Sequence, residues 1–322
     1  MIYGIYGAVA AVVVLLSVKA SEYVDLLDKK TKLSGAFIGG VMLSAVTSLP
    51  ELFTSLSATV FLDKPGLCIG NILGSDLFNV AALSVIILLF SRRFSKAKVA
   101  RSHVFVNLYV CMIYGLLMLN MTGLAQVQLL HISLVTPFIV ALYVLGVKQM
   151  SSEEELEGAE GYQAAGAEKK GEGLSVKSIV VRFVLVSMGL VGFSILITYI
   201  TDEISLRLGL GAGMAGALFL GVATSLPELA STIALFKIRN YNIAIGNIVG
   251  SNLFNFIIIA LSDVVYLKGG VYDYSDPKTV DLLILGAIAM PIMLIMLRFK
   301  NRATQIICPL CVIACYAAFL FL

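Results

Sequence analysis

The 322-residue chain has little charge and few of the residue types from which enzyme active sites are built. Charged residues make up 13% of the sequence, and there are only two histidines. His103 and His131 stand alone, and the sequence has no His and Cys cluster at metal-ligand spacing, no nucleophile motif and no cofactor fingerprint. We therefore expect neither an enzyme nor a resident cofactor.

The five cysteines do not have the spacing of a disulfide framework. Cys68 and Cys111 occur singly in apolar surroundings. The other three share one face of the last apolar segment: Cys308, Cys311 and Cys315. A thiolate metal site is one interpretation of this trio. Free cysteine is often buried as a small apolar residue, so packing residues are the favoured interpretation.

Apolar residues dominate the chain, with 59% hydrophobic residues and a mean hydropathy of +0.96. A membrane helix needs about 20 mostly apolar residues. The first such segment has no basic stretch ahead of it, which favours a membrane helix over a cleaved signal peptide. The predicted spans are residues 2–18, 35–61, 66–90, 103–121, 127–147, 177–200, 210–236, 241–265, 280–298 and 303–321. We therefore expect an all-α, multi-pass protein with ten transmembrane helices.

Two sequence strings occur twice. Thr-Ser-Leu-Pro-Glu at residues 47–51 recurs at 224–228, and a Gly-Asn-Ile string at 70–79 recurs at 246–255. The chain is therefore predicted to consist of two related halves. The predicted boundaries are 1–148 for the first five-helix repeat, 149–176 for an acidic, flexible linker, and 177–322 for the second repeat.

The distribution of basic residues predicts the orientation. Of the 23 lysines and arginines, all but Lys64, Arg207, Lys268 and Lys278 fall on one side of the predicted spans. By the positive-inside rule, the linker is cytoplasmic and both termini are extracytoplasmic in the cell membrane. Because each half has an odd number of spans, the second repeat is inverted relative to the first.

Each repeat places a glutamate beside a proline inside an apolar segment: Glu51 follows Pro50, and Glu228 follows Pro227. On insertion scales an acidic residue at the centre of a membrane helix costs roughly 2.5–3.5 kcal/mol, so two of them indicate function. Proline also frees a backbone carbonyl, which a membrane tolerates only where water, a neighbouring helix or an ion binds it. A bound cation is the favoured explanation.

Neutral oxygens accompany each glutamate. On a continuous helix, Thr47 and Ser48 would lie on the face of Glu51. The following segment carries Asn and Ser at every fourth position, beside Gly-xxx-Gly pairs that allow close helix approach. These stripes are Asn71, Ser75 and Asn79 in the first repeat, and Asn247, Ser251 and Asn255 in the second. Hard cations such as calcium prefer ligand sets made only of oxygen.

The paired strings resemble the alpha-repeats of the sodium/calcium exchanger family, over both halves and the ten-helix layout. The resemblance implies calcium exchange for sodium by alternating access, with Glu51 and Glu228 as central ligands. It implies further calcium and sodium ligands at Thr47, Ser48, Thr224, Ser225, Ser75, Asn79, Ser251, Asn255, Ser44 and Gly221. The implied partners are calcium, sodium and membrane lipid; no nucleic acid and no protein partner is inferred.

The chain departs from that family pattern at several positions. Val46 and Ala223 stand where the family usually has glycine before the threonine. Positions 79 and 255 are both asparagine, whereas one of the two is often aspartate in sodium/calcium exchangers. Only the two glutamates are therefore placed as carboxylate ligands. An extra acid, Asp76, is offset from the stripe by about 100° around a helix.

The coupling ion therefore has two interpretations. Sodium is favoured because the neutral Ser, Thr and Asn oxygens suit it, and proton coupling is the alternative. A cation channel is less favoured, because inverted repeats with interrupted helices suit alternating access.

Overall fold

The computed structural model describes residues 2–31, 43–94, 99–124, 127–129, 131–157, 175–237, 239, 241–272, 274–299 and 301–321. Within these ranges the chain is helical apart from connecting turns and one two-stranded antiparallel hairpin, in which Gln128 pairs with Ser133 and Leu129 with Ile132. The hairpin is a small departure from the predicted all-α fold.

The helices follow the two halves of the chain. The first half contains α1 (Ile2–Thr31), α2 (Leu43–Thr47), α3 (Leu49–Leu56), a π-helical turn (Ser57–Phe61), α4 (Pro65–Leu89), α5 (Ser91–Phe94), α6 (Arg101–Met121), β1 (Gln128–Leu129), β2 (Ile132–Ser133) and α7 (Val135–Glu157). The second contains α8 (Val176–Leu208), α9 (Ala212–Ala215), a π-helical segment (Gly216–Gly221), α10 (Val222–Thr224), α11 (Leu226–Lys237), α12 (Tyr241–Val265), α13 (Pro277–Arg298) and α14 (Thr304–Phe321).

Seven helices among the described residues are long and apolar enough to cross a membrane, or eight if the bent pair Ala212–Thr224 and Leu226–Lys237 is one span. The apolar part of α7, Val135–Met150, is shorter. The predicted span 35–61 begins outside the described residues. The structure is thus a helical membrane protein, and the count of ten spans stays a prediction.

Several predicted boundaries differ from the structure. Helix α8 continues past residue 200 to Leu208, where Gly209 at φ 64° ends it. Helix α1 continues beyond residue 18 to Thr31, since the polar residues after the apolar segment contain no glycine or proline to end it; Lys19 and Glu22 form an ion pair there. Helix α7 begins at Val135 and not at 127, because the hairpin comes first. The predicted flexible linker begins as helix, since α7 extends to Glu157; residues 158–174 lie outside the described ranges.

The two pentapeptides break their helices at equivalent points. Helix α2 ends at Thr47 and α3 begins at Leu49, with Ser48 between them at φ −87° and ψ 11°. Ser225 separates α10 from α11 at φ −86° and ψ 2°, and that pair of helices is bent by 42°. Each proline thereby lies in the first turn of a new helix, where its missing N–H leaves no bond unmade.

Helices α4 and α12 form the centre of the molecule. In the most apolar part of each of these helices, 72% of the residues are buried inside the protein, compared with 17% for α1 and α8. The second repeated string, which lies on α4 and α12, therefore runs through the core. Glycine allows the broken helix to lie against α4: a Cβ on Gly216 would be 2.5 Å from the Leu67 carbonyl oxygen. This close packing brings the broken helix of the second repeat against α4.

Candidate cation site

The two glutamates of the pentapeptides lie in the interior, and each is bonded to a serine of the other repeat. Ser48 Oγ donates to Glu228 Oε1 at 3.0 Å, and Ser225 Oγ donates to Glu51 Oε1 at 3.1 Å. The two contacts are equivalent in the repeats. The glutamates are therefore held by reciprocal bonds between the two halves.

This pairing corrects the expectation that Thr47 and Ser48 lie on the face of Glu51. The helix is interrupted at Ser48, so the residues before the break are not in helical phase with the glutamate after it. Thr47, like Ser48, faces Glu228, and Thr224 in the equivalent position faces Glu51. Each carboxylate thus lies beside the Thr and Ser of the opposite repeat's pentapeptide, and Glu228 also lies beside Ser251 of its own repeat.

Both carboxylates are buried without compensating charge. Glu51 is 1% exposed and Glu228 is 0% exposed. The Oε2 atom of each has no hydrogen-bond partner within the described part of the chain. The two negative charges repel each other, and no lysine or arginine among the described residues lies close enough to balance either charge. A buried ion without a partner is unfavourable by several kcal/mol. The arrangement therefore calls for a positive charge at the pair.

Backbone carbonyls at the breaks add further oxygens. Ser44 O accepts from Thr47 Oγ1 at 3.2 Å and from Ser251 Oγ at 3.5 Å. Gly221 O, one turn before Thr224 in the other repeat, accepts from Ser75 Oγ at 3.2 Å. The stripe serines therefore reach the broken helix of the opposite half, where they donate to the carbonyl groups of Ser44 and Gly221.

Asn71 and Asn247 hold the broken helices in place. Each amide nitrogen lies near the backbone oxygen of its own repeat's glutamate, at 3.4 and 3.5 Å respectively. Further acceptors are Thr54 (3.0 Å) and Ser55 (2.8 Å) for Asn71, and Ser231 (2.9 Å) and Thr232 (3.4 Å) for Asn247. These four hydroxyls were not among the predicted site residues, although they repeat three and four residues after each glutamate in the sequence.

Asn79 and Asn255 form a neighbouring polar layer. Asn79 Nδ2 donates to Asn252 Oδ1 at 3.0 Å, and Asn255 Nδ2 donates to Asp76 Oδ1 at 2.8 Å. All four residues are at most 1% exposed. Asp76, offset from the stripe as its sequence position predicts, thus contacts the stripe of the other repeat.

Asp263, another buried acid, has a different role. It lies two residues before the end of α12 and accepts from Ser133 N at 2.9 Å and Thr136 Oγ1 at 2.6 Å. Ser133 lies in β2 of the hairpin, and Thr136 lies in the first turn of α7. Asp263 therefore anchors the hairpin and the start of α7 to α12, away from the glutamate pair.

The donor set around the glutamates is made of oxygen. Within the part of the chain that the structure describes, no three His, Cys, Asp or Glu residues form a metal-ligating group. Hydroxyl, carbonyl and carboxylate oxygens suit hard cations such as calcium better than soft transition metals. The fold and the site define a helical membrane protein with two buried, reciprocally held carboxylates in its interior.

Comparison with known proteins gives the family. The family model described as "Sodium/calcium exchanger protein" matches residues 3–147 and 178–322. The chain therefore belongs to this family, which consists of membrane ion transporters and not of enzymes. The resemblance of the two repeats to that family is confirmed, and the unmatched residues between the two matches lie at the predicted linker.

Individual relatives agree with this assignment. "Inner membrane protein YrbG" of Escherichia coli is 27% identical over 69% of this chain, and the match spans 66% of that relative's length. "Sodium/calcium exchanger MaX1" of Methanosarcina acetivorans is 25% identical over 77% of this chain and 80% of its own. A solved structure of the sodium-calcium exchanger NCX_Mj, soaked with Na⁺ and Sr²⁺, covers 100% of this chain and 99% of that chain at a TM-score of 0.60 and 19% identity. This structural likeness shows a shared fold.

Proposed function

We propose that this protein is a secondary-active antiporter of the cell membrane that exchanges calcium for sodium by alternating access. The observation that carries the proposal is the reciprocal pair: two buried carboxylates, each with one unpartnered oxygen, and each bonded to a serine of the opposite repeat. Two negative charges balance one calcium ion, and calcium takes six to eight oxygen ligands. The name of the Methanosarcina relative supports the same activity.

The proposed ligands combine both repeats. We assign Glu51 and Glu228 as the central ligands and propose that surrounding oxygens bind calcium or sodium in turn. These surrounding residues are Thr47, Thr224, Ser48, Ser225, Ser75, Ser251, Asn79, Asn255, Ser44 and Gly221. Both ions would use the same glutamates, so occupancy by one excludes the other. That competition is what an antiporter requires.

Alternating access rests on the proposed symmetry. We infer two inverted five-helix repeats, residues 1–148 and 177–322, with a cytoplasmic linker at 149–176. Equivalent helix breaks at Ser48 and Ser225, and the reciprocal bonds across the halves, support this arrangement. Inverted repeats that meet at a central site can open it to either side by moving relative to each other.

The coupling ion is tested by calcium efflux from proteoliposomes at fixed pH. Adding external sodium is expected to accelerate the efflux, because the hydroxyl and amide oxygens around the glutamates suit sodium. Acceleration by an acidic exterior and not by sodium would contradict this and establish proton coupling. Calcium conductance that depends on neither gradient would instead identify a channel.

The proposed orientation is tested by labelling introduced cysteines in cells with a membrane-impermeant reagent. Leu322→Cys is expected to react from outside and Ala165→Cys, in the predicted linker, only after the membrane is opened. The reason is the strong excess of basic residues on the linker side. A variant with Cys311 replaced by serine is the background, since Cys311 is exposed on the protein surface. The reverse labelling pattern would show that the orientation is inverted.

A further inference from the structure

Asp76 and Asn252 occupy equivalent positions in the two repeats, and each accepts a hydrogen bond from an asparagine of the opposite repeat. In the repeated strings, position 76 corresponds to 252 and position 79 to 255. Asp76 accepts from Asn255, and Asn252 accepts from Asn79, so each bond joins one repeat to the other. The first bond is made by a carboxylate and the second by an amide. The layer is therefore symmetric in geometry and asymmetric in charge.

Each of these bonds fixes the direction of an asparagine amide. The nitrogens of Asn79 and Asn255 are used in the bonds, while the Oδ1 atoms of both residues are buried and have no hydrogen-bond partner in the described chain. A buried amide oxygen without a partner is unfavourable, because it has given up its hydrogen bonds to water and gained none in the protein. Two such oxygens in equivalent positions indicate that something absent from the protein itself binds them.

We propose that Asp76 and Asn252 are positioning residues for the cation site: Asp76 holds Asn255, and Asn252 holds Asn79, so that both amide oxygens are presented to the transported cation. This inference rests on the proposed function and deepens it. Asp76 and Asn252 are assigned no contact with the ion. They act through the asparagine that each one holds.

The two holders differ in how strictly they act. A carboxylate oxygen accepts hydrogen bonds and does not donate them. Asn255 can therefore turn only its amide nitrogen, and not its amide oxygen, toward Asp76. The amide of Asn252 carries both an acceptor and donors, so Asn79 is held less strictly. Asp76 is itself supported from α6, where Tyr114 OH lies 3.5 Å from Asp76 Oδ2. Asp76 therefore has the larger expected effect of the two.

The test is cation-dependent thermal stabilisation of the purified protein, because a ligand that binds the folded state raises its melting temperature. Calcium chloride or sodium chloride is titrated, and the concentration of each ion that gives a fixed rise in melting temperature is read. Asp76→Leu is expected to raise this concentration about tenfold, since Asn255 loses its acceptor. Asp76→Asn, which retains an acceptor, is expected to have a smaller effect.

A double-mutant cycle separates positioning from general structural damage. Because Asp76 acts through Asn255, Asp76→Leu is expected to add little in an Asn255→Ala background. Asn79 is held by Asn252, so the effect of Asp76→Leu is expected to persist in an Asn79→Ala background. Asp263→Asn, at the buried acid outside this layer, is expected to lower the melting temperature without changing either ion concentration.

The outcomes are distinguishable. Equal ion dependence of wild type and Asp76→Leu would overturn the inference, as would equal effects of Asp76→Asn and Asp76→Leu, which would indicate charge and not orientation. An undiminished effect of Asp76→Leu in the Asn255→Ala background would also overturn it. If calcium and sodium fail to stabilise even the wild type, the proposed function itself fails, and the inference with it.

Discussion

Replacing either glutamate of the pair by glutamine is expected to reduce calcium transport by roughly 100-fold or more while folded protein is still obtained. The amide oxygen of glutamine can still accept the serine bond that Glu51 or Glu228 receives now, at 3.1 and 3.0 Å. What the variant loses is one of two negative charges that would balance calcium. Removing a buried charge also eases insertion of the helix into the membrane.

The measurement is calcium uptake into proteoliposomes at equal protein content, with melting temperature recorded for each variant. Asp263→Asn is the matched control, because it makes the same chemical change at a buried acid whose partners are Ser133 and Thr136. We expect this control to transport calcium normally. Normal uptake by folded Glu51→Gln and folded Glu228→Gln would refute the assignment of the ligands.

Gly216→Ala is expected to destabilise the protein by about 3 kcal/mol or to prevent folding. The added Cβ would lie 2.5 Å from the Leu67 carbonyl oxygen and 2.8 Å from Asn71 N. Both are backbone atoms of α4, so no side chain can move aside to make room. Any relief must shift the π-helical segment away from α4, and with it Gly221 and Ser225, which belong to the proposed site.

Thermal unfolding in detergent, together with the yield of folded protein, measures this effect. Gly192→Ala in α8 is the matched control, because a Cβ there has no other atom within 4 Å. Alanine is the better helix former by roughly 0.5–1 kcal/mol, so this control is expected to be neutral or slightly stabilising. If Gly216→Ala melts at the wild-type temperature, the close approach of the two segments is not what positions the broken helix.

Much of the fold and of the candidate site was predictable, because the same sequence pattern occurs in both halves of the chain. The two pentapeptides place a glutamate beside a proline in apolar surroundings, and helix breaks appear at both. The Asn and Ser stripes predicted one polar face on α4 and one on α12, and these helices are the most buried of the candidate spans. Strong periodic patterns of this kind arise from local chemistry, which a sequence shows directly.

The pairing across the halves was not predictable from the same information. Helical spacing placed Ser48 beside Glu51, whereas the break turns it toward Glu228, 180 residues away. The size of a helix break depends on the packing of both repeats, which no local pattern reports. The role of Asp76 was hidden for the same reason: its offset from the stripe is visible, but its partner Asn255 lies in the other half.

Equilibrium binding of radioactive calcium to the purified protein tests the central claim, that both repeats together form one cation site shared by calcium and sodium. We expect about one calcium ion per chain, because the two carboxylates together balance the charge of one calcium ion. Sodium should displace it completely, and Glu51→Gln and Glu228→Gln should each abolish it. Two calcium ions per chain, calcium that sodium does not displace, or retained binding in either glutamine variant would contradict a single shared site.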